Sequence, residues 1–298
     1  MRIIRYLSKD SRPVLAALTS DEKVYPLDQE GFMELIQQAN EQNISPLSFV
    51  KNMISKSKPI SQSIEELSLL VPIVAQEVWA SGVTYEQSRD ARNYEATDGK
   101  LDTTTFYDKV YDAERPEIFF KSTAARTVGP NQEVYIRSDS KWQIPEPELG
   151  LIISREGEIL GYTIGNDMSC RDIEGENPLY LPQAKMWKHS CSIGPAILLA
   201  EAVKDPYDFT IICRIYRHGN LVVEGTASTG QLKRKFEELV SFLIRDNEIF
   251  DGTILLTGTC IVPPNKFTLL EGDQIEIEIP SIGVLKNNVK LPNKISVK

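Results

Sequence analysis

The chain has 298 residues, of which 41% are hydrophobic and 25% charged, enough to form one large domain or a large and a small one. Its net charge is −9, with 42 acidic and 33 basic residues, so the basic excess of nucleic-acid-binding proteins is missing and we expect no nucleic-acid partner. No apolar run approaches the roughly 20 residues of a membrane-spanning helix, and the first residues lack an apolar signal core, so we expect a cytosolic protein with no membrane partner.

Cysteine and histidine usage excludes further kinds of site. The four cysteines show no C-x-x-C spacing, and in a chain of this length we expect buried or free thiols rather than a disulfide framework. His189 and His218 are the only histidines, so a His-rich zinc site is excluded and a Ser-His or Cys-His mechanism has two candidate bases. The search for chemistry therefore turns to carboxylates and lysines.

Residues 1–70 are predicted to form a small α/β domain. Residues 14–18 are a short apolar strand, and residues 24–27 are expected to pair with it. Apolar residues then recur at helical spacing between residues 32 and 39. Ser45-Pro46 indicates the start of a second helix, with the serine as N-cap and the proline in the first turn.

A strand-rich domain is predicted for residues 71–298. Helical patterns occur at 84–96 and 103–112, and an amphipathic helix is expected at 231–245. Strands are predicted at 118–120, 149–154, 159–165, 211–216, 221–224, 254–257 and 274–279. His218-Gly219-Asn220 is a hairpin-turn signal. Because few helices lie between these strands, the pattern disfavours an alternating βαβ fold. We expect an α+β fold with a mostly antiparallel or mixed β core.

The sequence Pro145-Glu146-Pro147-Glu148 leads directly into a predicted strand. Side chains alternate along a strand, so Glu146 and Glu148 face the same way and repel each other unless a positive charge lies between them. Asp167 ends the next predicted strand. Three carboxylates without a histidine or thiol partner suit a hard cation, Mg²⁺ above all, with Mn²⁺ or Ca²⁺ as substitutes. The competing interpretation of the E-x-E pair alone is a solvated acidic edge.

Other candidates carry a positive charge or a small hydroxyl group. Lys185 lies in an apolar stretch that indicates a partly buried ammonium, and a surface lysine is the alternative. Arg89 and Arg92 suit carboxylate binding, and solvated helix charges are the alternative. Thr257 and Thr259 flank a glycine that would allow close approach of a ligand, although an ordinary turn after a strand explains them equally.

Five short motifs, taken in order, resemble the fumarylacetoacetate hydrolase family. They are Glu146-Pro147-Glu148, Asn166-Asp167-Met168-Ser169-Cys170-Arg171, Lys185-Met186-Trp187, Gly194-Pro195 and Thr257-Gly258-Thr259. The resemblance covers roughly residues 71–290. It implies a β-roll fold and a homodimer or homotetramer. It also implies a metal ion held by Glu146, Glu148 and Asp167, with Lys185 beside it.

One motif departs from the pattern of the family. Its C–C bond hydrolases carry N-Y-x-x-H, in which the histidine pairs with a glutamate to activate water. The matching segment here is Thr84-Tyr85-Glu86-Gln87-Ser88, so Ser88 stands at the position of the histidine. Hydrolysis by that pair of residues is therefore not expected.

Over its whole length the chain is similar to family members that remove water from a sugar acid. This resemblance implies a Mg²⁺-dependent hydro-lyase that converts 2-keto-3-deoxy-D-arabinonate into 2,5-dioxopentanoate in pentose oxidation. We expect Lys185 to be the base at C3, because burial and a nearby cation lower the pKa of an amine. Glu114, in a charged loop, is the expected acid at C4. The expected substrate-binding residues are Ser88, Arg89, Arg92, Thr257 and Thr259.

Two other functions are kept as alternatives. A hydrolase or decarboxylase would cleave a C–C bond of a related 2-oxo acid, and a product assay distinguishes it because dehydration leaves the carbon number unchanged. A catalytically inactive homologue would bind a small anion as a sensor. The presence of all three carboxylates and of Lys185 argues against that second alternative.

Overall fold

Strands dominate the structure, a computed structural model that describes residues 1–97 and 106–292. The strands are β1 (Arg2–Leu7), β2 (Pro13–Leu18), β3 (Val24–Pro26), β4 (Ser68–Leu69), β5 (Glu77–Gly82), β6 (Glu117–Thr123), β7 (Thr127–Val128), β8 (Glu133–Tyr135), β9 (Gln143–Ile144), β10 (Pro147–Ile153), β11 (Ile159–Asp167), β12 (Ser169–Cys170), β13 (Cys191–Leu199), β14 (Thr210–Arg217), β15 (Asn220–Ser228), β16 (Thr253–Leu256), β17 (Gln274–Ile279) and β18 (Gly283–Lys290). The helices are α1 (Phe32–Glu41), α2 (Pro46–Ile54), α3 (Glu86–Thr97), α4 (Phe106–Asp112), α5 (Arg171–Glu176), α6 (Leu181–Lys185) and α7 (Phe236–Ile244). Within the described ranges, no helix has the length and apolar character needed to cross a membrane.

The larger sheet is mixed. Its strands follow the order β3-β2-β1-β13-β11-β10-β16-β5-β6, and β4 and β7 pair with β1 and β13. Neighbouring strands are antiparallel, except that β16 runs parallel to β5 and β7 runs parallel to β13. The central strand β10 is buried on both faces, which explains the apolar run from residue 149 to residue 153. The expected strand-rich, mixed fold is confirmed.

A second sheet has the order β15-β14-β17-β18-β8. In β17 every second residue is a buried isoleucine, the pattern of a strand with one face against the core. His218 and Gly219 join β14 to β15 with positive φ angles of 51° and 79°, which a two-residue hairpin turn of this kind requires. The hairpin expected at this position is confirmed.

The N-terminal strands extend the larger sheet. β1 pairs with β13, and β2 and β3 pair with each other as expected. Helix α2 begins where the sequence indicates, because the Ser45 side chain accepts a hydrogen bond from the Ser48 N–H and Pro46 occupies the first turn. Strand β1 does not follow from the apolar pattern, since arginines interrupt it although Ile3 and Ile4 are fully buried. The domain boundary near residue 70 stays a prediction.

The predicted bounds of one helix are wrong. The helix expected at 231–245 is shorter, because α7 covers only Phe236–Ile244 and a 3-10 turn precedes it. The connecting residues include Lys233 and Arg234, whose side chains bind main-chain carbonyl groups of residues 111–114. Of the helical pattern at 103–112, α4 accounts for residues 106–112, and residues 103–105 lie outside the described part of the chain.

Strand pairing brings acidic residues that are distant in sequence together at one end of two central strands of the larger sheet. β10 and β11 are antiparallel neighbours, with Glu148 opposite Gly165. The Asp167 N–H donates to the main-chain oxygen of Glu146 at 3.0 Å. The start of β10 and the end of β11 therefore lie side by side.

Candidate active site

Glu146, Glu148 and Asp167 form a buried cluster of three carboxylates. One oxygen atom from each lies within 4.8 Å of the other two. The exposed fractions of the three residues are 4%, 1% and 1%. A solvated acidic edge, the alternative considered from the sequence, is therefore excluded. We call this cluster the carboxylate triad.

The carboxylate triad fits a hard divalent cation. Oxygen ligands bind Mg²⁺ at about 2.0–2.1 Å, so the oxygens around one ion lie up to about 4.2 Å apart. The observed spacing needs only small side-chain movements to reach that geometry. Burial raises the pKa of Glu148 well above its usual range, and the negative charges of Asp167 and Glu146 raise it further. A cation among the three carboxylates would supply the positive charge that Glu148 lacks.

Two buried lysines contact the triad. Lys185 Nζ lies 2.5 Å from Glu146 Oε2 and 3.2 Å from Asp167 Oδ2. Lys121 Nζ lies 2.5 Å from Asp167 Oδ1 and donates to the main-chain carbonyl groups of Met168 and Lys185. Lys121, which the sequence patterns do not indicate, thus links a carboxylate of the triad to the backbone of the candidate base.

A second layer of buried charges surrounds Lys185. Glu174 Oε1 lies 3.2 Å from Lys185 Nζ and 2.9 Å from Arg92 Nη2. Arg171 Nη2 lies 2.8 Å from Glu146 Oε1, and its Nε lies 3.9 Å from Glu174 Oε2. Because buried charges persist only when they are partnered, this network fixes the relative positions of Glu146 and Lys185.

The network also sets the proton affinities of its members. Burial acts to raise the pKa of Glu146, but Lys185 and Arg171 bring that pKa well below its usual range. Burial acts to lower the pKa of Lys185, but Asp167, Glu146 and Glu174 raise it above its ordinary value. The lowered pKa expected for this lysine applies to an amine beside a bound cation and stays a prediction. A cation among the same carboxylates would offset their charge and lower the pKa of the amine.

Glu117, rather than the predicted Glu114, brings a carboxyl group into the site. Glu114 is exposed on the loop before β6. Glu117 is the first residue of β6, and its Oε2 atom is buried without a hydrogen-bond partner among the described residues. Burial raises the pKa of Glu117 despite the opposing effects of Arg92 and Lys185. Gly82 makes room for this group, because a Cβ atom there would lie 2.0 Å from Glu117 Oε2.

A cleft of about 540 Å³ leads to these residues. Glu117 and Glu174 line the cleft, together with residues of the segments 109–116 and 178–181. Since Glu174 also contacts Lys185, the cleft gives a small molecule access to the neighbourhood of the triad.

The three residues predicted on helix α3 lie in different environments. The Ser88 hydroxyl donates to the Tyr85 carbonyl at 2.7 Å and accepts from the Tyr85 N–H at 3.3 Å, closing the first turn of the helix. Arg89 lies at the surface and pairs with acidic side chains of its own helix at 2.9 and 3.1 Å. Arg92 is buried and reaches the site through Glu174. Substrate binding by these residues stays a prediction.

The T-G-T turn lies against Glu148, because the Gly258 N–H donates to Glu148 Oε2 at 2.6 Å. Gly258 has a φ of +95°, and a Cβ atom there would lie 1.9 Å from Thr84 Oγ1, so the turn requires glycine. The Thr257 and Thr259 hydroxyls donate to main-chain carbonyl groups at 3.0 and 3.3 Å. Contact of these hydroxyls with substrate stays a prediction.

Known proteins are similar to this chain in both sequence and fold. Residues 86–290 match the family model described as fumarylacetoacetate (FAA) hydrolase C-terminal. The chain is 47% identical over 236 residues to the 2-dehydro-3-deoxy-D-arabinonate dehydratase of Saccharolobus solfataricus, covering 79% of each chain. It is also 47% identical over 219 residues to the Haloferax volcanii protein named "Probable 2-keto-3-deoxyxylonate dehydratase", covering 74% of each chain.

A solved structure extends the likeness to the whole chain. It is a 2-keto-3-deoxy-D-arabinonate dehydratase complexed with magnesium and 2,5-dioxopentanoate. The two folds superpose with a TM-score of 0.83 at 37% sequence identity, covering 99% of this chain and 100% of that one. From the extent of the family match and the identity to these relatives, the chain belongs to the fumarylacetoacetate hydrolase family.

Proposed function

We propose that the chain is a Mg²⁺-dependent dehydratase (hydro-lyase) that converts 2-keto-3-deoxy-D-arabinonate into 2,5-dioxopentanoate in pentose oxidation. The observation that carries the proposal is the buried carboxylate triad beside Lys185, in a chain similar to named dehydratases. A relative with the same fold holds magnesium and 2,5-dioxopentanoate. Ser88, in place of a water-activating histidine, favours dehydration over hydrolysis.

The charge balance of the site suits a substrate with a single carboxylate. The carboxyl groups at the site are Glu117, Glu146, Glu148, Asp167 and Glu174, and the basic groups at the site are Arg92, Lys121, Arg171 and Lys185. Negative charge exceeds positive charge by one when all of them are ionised, and also when Glu117 carries the proton that it donates and Lys185 is the neutral base. A divalent cation reverses this to one positive charge, which a monocarboxylate neutralises.

The residues divide the chemistry among them. Glu146, Glu148 and Asp167 would hold a cation that polarises the C2 carbonyl of a chelating 2-oxo acid and makes the C3 protons more acidic. Lys185 Nζ removes one C3 proton. Glu117 donates a proton to the C4 hydroxyl, which leaves as water. Tautomerisation then gives 2,5-dioxopentanoate.

Substrate binding in this proposal involves a buried arginine next to the cleft residue Glu174, and the T-G-T turn. Arg92, buried and paired with Glu174 at 2.9 Å, is the arginine best placed to bind the substrate carboxylate. Thr257 and Thr259 lie beside Gly258, whose N–H binds Glu148, and they would face the far end of the sugar acid. Ser88 and Arg89, on helix α3, are the other predicted substrate-binding residues.

The proposal has further parts that rest on the family resemblance and on the oxygen-only ligand set. They are Mg²⁺ as the native cation with Mn²⁺ or Ca²⁺ as substitutes, a homodimer or homotetramer, a cytosolic location, and a β-roll domain at 71–298 after a small α/β domain at 1–70. A mass measurement in solution tests the assembly. Activity with each cation, after removal of bound metal, tests the cation preference.

Purified protein supplied with Mg²⁺ and 2-keto-3-deoxy-D-arabinonate is expected to form 2,5-dioxopentanoate with the carbon number unchanged. It should not cleave an acylpyruvate at a useful rate, because Ser88 occupies the position of the histidine and its hydroxyl is bonded to Tyr85. Mass spectrometry of the products distinguishes the outcomes. Rapid acylpyruvate cleavage would identify a C–C hydrolase, and tight binding of the sugar acid without turnover would identify a sensor.

Glu117→Gln is expected to lower kcat by about 10²–10⁴-fold, the usual contribution of a general acid. The reaction needs the protonated carboxyl group, whose pKa is raised by burial, so native activity should fall as the pH rises through that raised pKa. The glutamine variant should lack this limb of the pH profile. Glu114→Gln is the matched control, because Glu114 is exposed on the loop just before Glu117, and it should keep native kcat. The opposite ranking of the two variants would restore Glu114 as the acid.

A further inference from the structure

One wall of the cleft is the cap segment, residues 106–116, which comprises α4 and the turn after it. Val110, Ala113 and Pro116 line the cleft from this segment. The chain then enters β6 at Glu117. The position of the Glu117 carboxyl group therefore depends on how firmly the cap segment is held.

Two basic residues hold the cap segment. Arg234 Nη1 donates to the Glu114 carbonyl at 3.0 Å, and Nη2 donates to the Ala113 carbonyl. Lys233 Nζ donates to the Tyr111 carbonyl at 2.6 Å. The last carbonyl groups of a helix have no N–H partner within the helix, and a cation there also complements the helix dipole. We call Lys233 and Arg234 the brace, because Lys233 satisfies one such carbonyl group at the end of α4 and Arg234 binds two carbonyl groups of the turn that follows.

The contacts of the brace explain why one of its members is an arginine. The planar guanidinium of Arg234 binds two successive carbonyl groups and also Glu238 Oε1, at 2.5 Å. Its side chain is only 8% exposed. A lysine ammonium is a single point of charge and does not match this fork of acceptors.

The brace is also connected to the opposite side of the site. The Lys233 N–H donates to the Thr84 carbonyl at 3.0 Å, and the Thr84 hydroxyl donates to the Thr257 carbonyl at 2.7 Å. The next residue, Gly258, donates its N–H to Glu148 at 2.6 Å. A continuous path of hydrogen bonds and backbone thus runs from the cap segment to the carboxylate triad.

We propose that Arg234 is a positioning residue for dehydration, which together with Lys233 fixes the cap segment, and through it Glu117, relative to the carboxylate triad. The chemical part of this inference rests on the proposed function. Arg234 acts on the departure of the C4 hydroxyl, because Glu117 protonates that group. Removal of the C3 proton by Lys185 does not use the cap segment. Loosening the brace should therefore slow the loss of water more than it slows exchange of the C3 protons.

Arg234→Lys tests this separation in the Mg²⁺-loaded enzyme. We expect kcat to fall about 10–100-fold, the effect of a small misplacement of a reacting group, while KM stays within about threefold. Exchange of C3 protons per turnover in heavy water should rise about tenfold or more. Arg155→Lys is the control, because that guanidinium pairs with Asp251 at 2.8 Å on the surface, with its side chain 64% exposed. Exchange and turnover that fall in parallel in Arg234→Lys would overturn the inference.

A second measurement does not depend on the reaction. Amide hydrogen exchange of residues 108–116 should be faster in Arg234→Lys and native in Arg155→Lys. Unchanged protection of these amides from exchange would show that Arg234 does not hold the cap segment, whatever reaction the enzyme catalyses. Faster amide exchange in the variant, with no release of water by the native protein, would refute the proposed function alone. If Arg234→Lys does not fold, Lys233→Met, at a side chain 34% exposed, must produce both effects, and their absence is equally decisive.

Discussion

Glu146→Gln, Glu148→Gln and Asp167→Asn are each expected to lower kcat/KM at limiting Mg²⁺ by about 10²–10³-fold. Each variant removes one negatively charged ligand from a set whose oxygens lie within 4.8 Å of one another. Hard-cation affinity depends on the number and charge of the ligands. The expected loss corresponds to about 3–4 kcal/mol of transition-state stabilisation. Initial rates across a Mg²⁺ titration, with calorimetry of metal binding, measure it.

The variants should differ in stability once a chelator has removed the metal. Glu146 pairs with Lys185 and Arg171, so Glu146→Gln removes a charge that two buried cations share and should cost about 3–5 kcal/mol of unfolding free energy. Glu148 is the opposite case, because burial and the charge of Asp167 raise its pKa. A carboxyl group whose pKa is raised on folding destabilises the folded protein above its unfolded pKa. Glu148→Gln should therefore be more resistant to denaturant than the native protein at pH 7.

Three outcomes would contradict this assignment. Full activity of any of the three variants at limiting Mg²⁺, or of the native protein in excess chelator, would remove the triad from the reaction. Equal destabilisation by Glu146→Gln and Glu148→Gln would contradict the account of their charges. Glu133→Gln serves as the control, because Glu133 pairs with Lys290 at the surface at 2.9 Å and its loss should change stability by less than about 1 kcal/mol.

That the three carboxylates of the triad lie close to one another could be predicted, because strand geometry determines it. Glu146 and Glu148 share a side through the alternation of side chains at the start of β10. Asp167 joins them because β11 runs antiparallel to β10 with Glu148 opposite Gly165. The apolar character of both strands makes them visible in the sequence and also buries the carboxylates at their ends.

The buried basic residues could not be predicted in the same way. Lys121 follows the apolar run 118–120, and Arg171 lies in a polar segment, so each resembles a surface charge in the sequence. They are 0% and 1% exposed, and they pair with Asp167 and Glu146, which come from other segments of the chain. Hydrophobic periodicity contains no information about which charges meet across a sheet.

Which of Glu114 and Glu117 enters the cleft also could not be predicted from the sequence, although the two residues are close together in it. Both belong to one charged stretch, three residues apart in the sequence. Which carboxyl group enters the cleft depends on where β6 begins and on Gly82, a glycine of the neighbouring strand that leaves room for Glu117. Neither feature follows from the composition of the loop itself.

Lys185→Met is expected to lower both the turnover rate and the rate of C3 proton exchange in heavy water, each by about 10²–10⁴-fold. Lys185 Nζ lies 2.5 Å from Glu146 Oε2 and 3.2 Å from Asp167 Oδ2, so its ammonium competes with a cation for the same oxygens. Mg²⁺ binding, followed by calorimetry, should therefore remain intact or become tighter. Loss of metal binding together with activity would instead make this lysine a structural support of the triad.

Lys185→Arg separates the base from the charge at the same position. Burial lowers the pKa of Lys185, but Asp167, Glu146 and Glu174 raise it above the ordinary value, so a neutral amine requires a cation that offsets these carboxylates. Arginine restores the positive charge but stays protonated at any working pH. The variant should regain the stability that Lys185→Met loses, yet show neither turnover nor C3 exchange. Native activity in Lys185→Arg would mean that the lysine only balances charge, and Glu117, the other carboxyl group that lines the cleft near it, would be the next candidate for the base.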